Sequence, residues 1–365
     1  MAQEFESDLN EFNESDELFP TNAKDFILGS IKNNGKISEF KLTIQDLLDN
    51  IIICGDVYSG KSSVIKRLLL QIINTSELNP IVFDDNNEYN KLIDSRYSYR
   101  ESWTIEFGNE NFTINPLEIV KNSNEEYLDL LIDIFMDTFN LNTEESFILK
   151  EIISVVIKEN SNPTLYDLKL YLELKDEIIK IFPDELEASI AHLRTILTAL
   201  TCGPIKKILD VEKSNLHMAN LQDFPIFIKF NSISHTGRKF IKNLIYLNQI
   251  IYKKNHQNTP PHLLVIDSID DITFSLVNFS IDNTLNQGIL TSLSSPFNEN
   301  RKYIKLFKNT ILLHISSDVD SNLISQKFKF KVNLEKYLKS IEMGSSIVKF
   351  FDTQISNVEI EDFYF

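Results

Sequence analysis

The chain has 365 residues, 42% hydrophobic and 24% charged, with 36 Lys and Arg against 53 Asp and Glu for a net charge of −17. That length buries a sizeable core, as one large domain or a domain with an insertion. The acidic balance excludes a protein coated in basic surface for nucleic acid, but not a ring whose few basic residues line a channel.

Residues 1–36 read as an acidic N-terminal arm. The start carries Glu4, Glu6, Asp8, Glu11, Glu14, Asp16 and Glu17 with no Lys or Arg before residue 22, and it lacks the basic opening of a secretory signal. This is the composition of a solvated tail; Phe5, Phe12, Leu18 and Phe19, spaced through it, allow instead for docking onto a partner. Ile37 to Leu48 leads into Ile51, Ile52 and Ile53, an apolar run with the character of a fully buried strand. Gly55, Gly60, Lys61 and Ser62 then fit G-x-x-x-x-G-K-[ST], the phosphate-binding P-loop, and Val64 to Ile73 reads as the helix behind it.

The residue types suit that chemistry. Gly55 and Gly60 let the backbone turn tightly and approach phosphate with no Cβ in the way. With only nine glycines in the chain, the match is not a by-product of composition. Tyr58, Ser59 and Ser63 complete the candidate nucleotide-binding loop, whose N–H groups and helix N-terminus face the anion. Lys61 is expected to reach the β and γ phosphates and Ser62 to hold Mg²⁺, so ATP and Mg²⁺ are the expected ligands. The alternative is an ordinary strand-to-helix turn.

After the breaker Asn79-Pro80, Ile81 to Asp84 reads as a second buried strand, and Asp85 to Tyr89 lies at its C-terminal edge, where ligands sit in open α/β sheets. Trp103 to Phe107 and Phe112 to Ile114 read as further short strands, closing a first core part over 37–120. Residues 121–208 read as an all-helical insertion. Its helices start at Glu125, after Thr143 as N-cap, after Thr164 with Asp167 three residues on, and at Glu185; the last ends before Cys202-Gly203-Pro204. The second core part, 209–365, carries strands at Pro225 to Phe230, Leu263 to Ile266, Thr310 to Ile315, Phe328 to Val332 and Ile347 to Phe351, with a helix from Lys239 to Tyr252. Alternating strand and helix predict an α/β fold with a mostly parallel sheet. Two cysteines, Cys54 and Cys202, make neither a disulfide framework nor a metal pattern, and no apolar run spans a bilayer. A cytoplasmic protein without membrane insertion is therefore expected.

His262 to Asp267 is an apolar strand ending in an acid, and Asp267 is the candidate to hold Mg²⁺ opposite Ser62. The next residue is Ser268, where water-activating NTPases usually place Glu; Ser accepts no proton at neutral pH. Asp270 and Asp271 are near in sequence. Glu88, after the neighbouring strand, is the candidate catalytic base; its alternative is a solvent-facing loop acid. Arg301, Lys302, Lys305 and Lys308 form a dense basic run, either a solvated helix face or a contact for DNA.

Together these blocks resemble the HerA/FtsK-like P-loop ATPases, most closely the HerA branch, over Leu42 to about Val348. Asp46-Leu47-Leu48 looks like the family's lead-in, Ile81 to Asp84 with Glu88-Tyr89 like its second strand, and Asn115-Pro116-Leu117 like its Asn-Pro-Leu turn. Pro163 to Leu168 resembles a helix start in its insertion, and Arg301-Lys302-Tyr303 the triplet before its sensor strand. The resemblance implies a RecA-like core, a homo-hexameric ring, and ATP-driven translocation of duplex DNA, often beside a nuclease such as NurA. It implies Lys61 and Ser62 on phosphate and Mg²⁺, with Asp267 as the second metal-site acid. This chain departs from the pattern at Asp56, Val57 and Tyr58 in the loop and at Ser268. It also lacks Gln after Leu313-His314-Ile315-Ser316, and Lys329 and Lys331 stand where an arginine usually reaches a neighbour's nucleotide. Roughly 40 residues before the core leave no room for the N-terminal barrel of full-length HerA. Two functions remain open: a slowly hydrolysing DNA translocase subunit, or a catalytically impaired ATP-binding structural or regulatory subunit.

Overall fold

A computed structural model describes residues 25–33, 36–75, 77–93, 98, 100–109, 112–118, 125–174, 186–256, 258–283, 285–297, 300–328, 334–342, 344–349 and 356–360. Its strands are β1 (Asp25–Asn33), β2 (Lys36–Thr43), β3 (Ile51–Gly55), β4 (Asn79–Asp84), β5 (Trp103–Phe107), β6 (Ile226–Phe230), β7 (His262–Ile266), β8 (Gln287–Ser294), β9 (Asn309–Leu312), β10 (Ser345–Lys349) and β11 (Ser356–Glu359). They form one sheet in the order β2-β1-β11-β10-β9-β3-β8-β7-β4-β6-β5. The run from β9 to β5 is parallel, and the other strands add an antiparallel flank. β3, β4 and β7 are buried at every position, which is why they read as unbroken apolar runs: a parallel strand is covered on both faces.

Successive side chains leave a strand on opposite faces, so each strand feeds two cores. Ile51, Ile53, Val82 and Val265 pack with α2 (Lys61–Ile72) through Ile65, Leu68 and Leu69. Ile52, Cys54, Phe83, Leu264 and Ile266 face the other core, with α3 (Glu125–Phe139), α4 (Thr143–Glu159), α5 (Leu165–Glu173), α6 (Glu187–Leu200) and α8 (His235–Asn255). The short helix α7 (Gly203–Leu209) closes the helical run between β5 and β6, and α9 (Phe274–Asp282) lies between β7 and β8. Among the described residues no helix is long and apolar enough to cross a membrane.

Several expectations change. Part of the stretch assigned to an arm, Asp25–Asn33, is a strand: Phe26 and Leu28 are buried over α2, and the Ile27 N–H donates to Gln71 Oε1 at 2.7 Å. Residues 1–24 lie outside the described residues. Ile37 to Leu48 holds β2 and a short helix, α1 (Ile44–Leu48), capped by Thr43. Phe112 to Ile114 is not a strand. Thr113 O accepts from Asn215 and Leu216, and Asn115 Oδ1 turns back to the Leu117 N–H, leaving no length for a ladder. Phe328 ends a helix, α11 (Asp318–Phe328), rather than opening a strand, and 329–333 lie outside the described residues. Asn142 caps α4 in place of Thr143, in a reciprocal capping box with Glu145.

β8, unread in the sequence, lies between β3 and β7 and is needed to space them. Gly288 there has no room for a side chain: a Cβ would stand 2.1 Å from Leu47 O. Gly288→Ala should therefore push backbone against backbone and cost about 1–3 kcal/mol of stability. Urea unfolding followed by circular dichroism checks this; an unchanged midpoint would show that α1 yields.

Candidate nucleotide and metal site

The loop between β3 and α2 is held from several sides. The Asp56 N–H donates to His314 O at 2.8 Å, and Asp56 Oδ2 accepts from the Ser316 N–H at 2.9 Å. Thus the loop is tied to the end of β9. Gly60 has φ 97° and Tyr58 φ 65°, and the Tyr58 ring is exposed. A side chain at Gly55 would meet Ser59 Oγ at 2.4 Å. Ser59 Oγ is buried and has no hydrogen-bond partner among the described residues. Lys61 is buried and donates to Asp56 O at 2.6 Å and Gly55 O at 3.2 Å. Burial lowers its ammonium pKa; Asp267 and Asp56 oppose that. Gly60 offers no side-chain cap, so the first N–H groups of α2 stay open to an anion. Ser63 is exposed on that first turn.

Ser62 Oγ donates to Asp267 Oδ1 at 3.3 Å. Asp267 follows β7, and its carbonyl accepts from Ser292 Oγ of β8. Burial raises the Asp267 carboxyl above its ordinary value, Glu88 and Asp85 push the same way, and the Ser62 hydrogen bond and Lys66 oppose them. Glu88 lies on the same edge of the sheet: Asp84 Oδ1 accepts the Glu88 N–H at 2.8 Å, and Oδ2 the Tyr89 N–H at 3.4 Å. The Glu88 carboxylate pairs with Lys66 at 3.0 Å. So Ser62, Asp267 and Glu88 come together, with Lys66 as a fourth member. Sequence reasoning missed Lys66, although it lies one turn after Ser62 and hence on the same helix face.

The acids after Ser268 go elsewhere. Asp271 pairs with Lys242 at 2.6 Å, and the same buried ammonium takes Asp85. Asp270 lines a polar cleft of about 840 Å³ with Asp137, Lys239, Arg301 and Lys302. Arg301 of α10 (Arg301–Leu306) stands 3.6 Å from Asp320 on α11, while the Lys302 ammonium lies over the Phe274 ring at 5.0 Å. Lys302 and Lys305 are exposed on this short helix; Lys308 instead pairs with Asp49 at 2.8 Å. The basic run is therefore divided. Lys329 and Lys331 lie outside the described residues.

The residues fit the implied ligands. Open N–H groups, the orphaned Ser59 hydroxyl and Lys61 offer donors to phosphate. A hydroxyl and a carboxylate offer the hard oxygens Mg²⁺ takes.

No protein-family model and no curated protein matches the chain. Solved structures do. VirB4 of Thermoanaerobacter pseudethanolicus is 16% identical, with a TM-score of 0.68 over 93% of this chain and 97% of that one. The unbound form of the bacterial conjugative coupling protein TrwB is 10% identical, with a TM-score of 0.65 over 95% and 91%. The plasmid coupling protein TrwB in complex with ADP and Mg²⁺ is 11% identical, with a TM-score of 0.63 over 95% and 91%. At these identities the likeness is one of fold: the chain shares the α/β fold of these VirB4 and TrwB structures.

Metal binding at Asp267 needs the carboxylate. Because burial raises that group, Mg²⁺–ADP affinity should start to fall on acidification at a higher pH than an ordinary carboxylate dictates. Calorimetry across pH checks this, and Asp267→Asn should weaken the affinity and flatten its pH dependence.

Proposed function

We propose that this chain is an ATP- and Mg²⁺-binding subunit of the HerA/FtsK-like type, working in the cytosol as a homo-hexameric ring. It couples slow ATP hydrolysis to movement of duplex DNA, beside a nuclease or other effector. The observation that carries this is the Ser62–Asp267 hydrogen bond, which joins the P-loop helix to the acid of a second strand. The fold likeness to a conjugative coupling protein, and that protein's complex with ADP and Mg²⁺, support it. In this reading 121–208 is a helical insertion into the core. Lys61 leaves its carbonyl partners for the phosphates, Ser62 and Asp267 hold Mg²⁺, and Glu88 takes the proton of the attacking water. Exposed Lys302 and Lys305 face DNA.

A second reading, a regulatory or structural subunit that binds ATP without turning it over, draws on Ser268 and on the engagement of Asp271 by Lys242. Phosphate release with and without duplex DNA separates the two. General-base assistance is worth about 10²–10⁴-fold: with Glu88 as base, Glu88→Gln should abolish turnover and Ser268→Glu should add little, whereas a rise in turnover with Ser268→Glu would show that Glu88 does not serve.

Lys61→Ala should weaken ATP binding by roughly 2–4 kcal/mol, as for loss of a buried charged partner. Unchanged affinity by calorimetry would sink the P-loop assignment. Reversing the charges of Lys302 and Lys305 should lower DNA affinity and flatten its salt dependence. An identical salt slope would put DNA on another surface.

A further inference from the structure

We infer that the cavity between α8 and the segment 214–219 is a second ligand site, for a small molecule with a flat apolar body and an amide edge. It goes beyond the nucleotide reading and does not rest on it. Lys242, in the first half of α8, pairs with Asp85 and Asp271 at the nucleotide edge. The cavity belongs to the second half: Lys242 to Tyr252 is about 15 Å of helix.

The walls come from two sides. Asn248, Ile251, Tyr252 and His256 recur at helical spacing, so they share one face of α8 and its C-terminal cap. The Tyr252 and His256 rings are stacked, 4.2 Å between centres, and give that wall a flat aromatic part. Buried Leu216 and Met218 stand on the other side. The volume is about 500 Å³, within the range of sites for small organic ligands. The protein's own hydrogen bonds fix the second wall. Glu118 Oε2 accepts the Ser214 N–H at 2.6 Å, Ser214 Oγ accepts the Asn115 N–H at 2.9 Å, and Asn215 Oδ1 accepts the Thr113 N–H at 2.7 Å. A wall already in place loses little order when a ligand binds.

Two polar groups define the ligand. Asn248 is 4% exposed, and a side-chain amide that deep is normally hydrogen-bonded. The Tyr127 hydroxyl meets its Oδ1 at 3.3 Å, but its Nδ2 has no partner among the described residues. Its place on the lining face of α8 turns that donor to the cavity. Glu118 is half-buried; Ser214 takes its Oε2, and its Oε1 has no partner among the described residues. A carboxylate only accepts. The ligand that satisfies both brings a carbonyl oxygen to Asn248 and an N–H to Glu118, which is the edge of a primary amide. An anionic ligand is repelled by Glu118. A plain hydrocarbon fills the apolar part and leaves the Asn248 donor unmet, which weakens its binding.

The test uses naphthamide as the probe and the full chain labelled with carbon-13 at its methionine methyls. The chain has four methionines, and Met218→Leu identifies the signal of the one that lines the cavity. Naphthamide should shift the Met218 methyl saturably. Methylnaphthalene, which has no amide, should bind about fivefold more weakly, and Asn248→Leu should bring the two ligands to within about twofold of each other. If Asn248→Leu does not fold by circular dichroism, naphthoate decides on the wild-type protein: the anion should leave the Met218 methyl in place. An unmoved Met218 methyl at the solubility limit of naphthamide overturns the proposal. So does equal affinity for naphthamide and methylnaphthalene, a preference that survives Asn248→Leu, or naphthoate bound as tightly as naphthamide.

Discussion

The hydrogen bond from Ser62 to Asp267 joins residues 205 apart in the chain, and the candidate site depends on it. It forms only if the ends of β3 and β7 are level with β8 between them. The register provides this: Ile51 lies opposite Leu290, and Leu290 opposite Val265. Two residues on, Ser292 donates its hydroxyl to Asp267 O and locks the edge. A slip of one residue in either pairing would turn every side chain of a strand to the wrong core and carry Asp267 away from α2. Thus the apolar alternation that fills the two cores also sets the distance between hydroxyl and carboxylate.

The unusual middle of the P-loop has a structural use. Asp56 stands where the ATPases it resembles have a small residue, yet its amide and carboxylate both bond to the segment after β9, at His314 O and the Ser316 N–H. His314 Nε2 lies 3.8 Å from the same carboxylate. The loop is thereby anchored to the segment after β9 through Asp56. The Lys61 ammonium rests on two carbonyls of this loop, Gly55 O and Asp56 O. A carbonyl offers the ammonium only a dipole, whereas a phosphate offers a full negative charge. In the proposed reading, a phosphate at the helix N-terminus therefore takes Lys61 from these carbonyls.

What could be read from the sequence follows from how each strand is buried. β3, β4 and β7 are covered on both faces and carry unbroken apolar runs, so they and the acids behind them were legible. β8 is buried up to its last residue, Ser294, but its Gln287, Gly288, Thr291 and Ser292 hide it; the glycine serves a close approach to Leu47, and Ser292 holds Asp267. β1 was lost in the acidic arm because it borders a polar run and its pairing is with β2 and the distant β11. Among the site residues, the P-loop and Asp267 had local patterns. Lys66 had only its spacing from Ser62, and its partner comes from another strand. The basic run looked like one patch because sequence distance does not show that Asp49 takes Lys308 and Asp320 faces Arg301.

The carboxylates at this edge divide by what faces them. Lys242 is 2% exposed and sits between Asp85 and Asp271. An ammonium that deep must be paired, since leaving a buried charge alone costs about 3–5 kcal/mol. Those two acids are therefore committed to the fold. Asp84 is also committed, because its oxygens hold the backbone of Glu88 and Tyr89. Asp270 turns into the cleft beside Lys239 and Arg301. Of the acids following β4 and β7, Asp267 and Glu88 are left with side chains directed to the P-loop helix, one on Ser62 and one on Lys66. A carboxylate missing at position 268 is thus matched by one on the adjacent strand's loop, and in the proposed reading the base for the attacking water is drawn from the loop after β4 rather than from the end of β7.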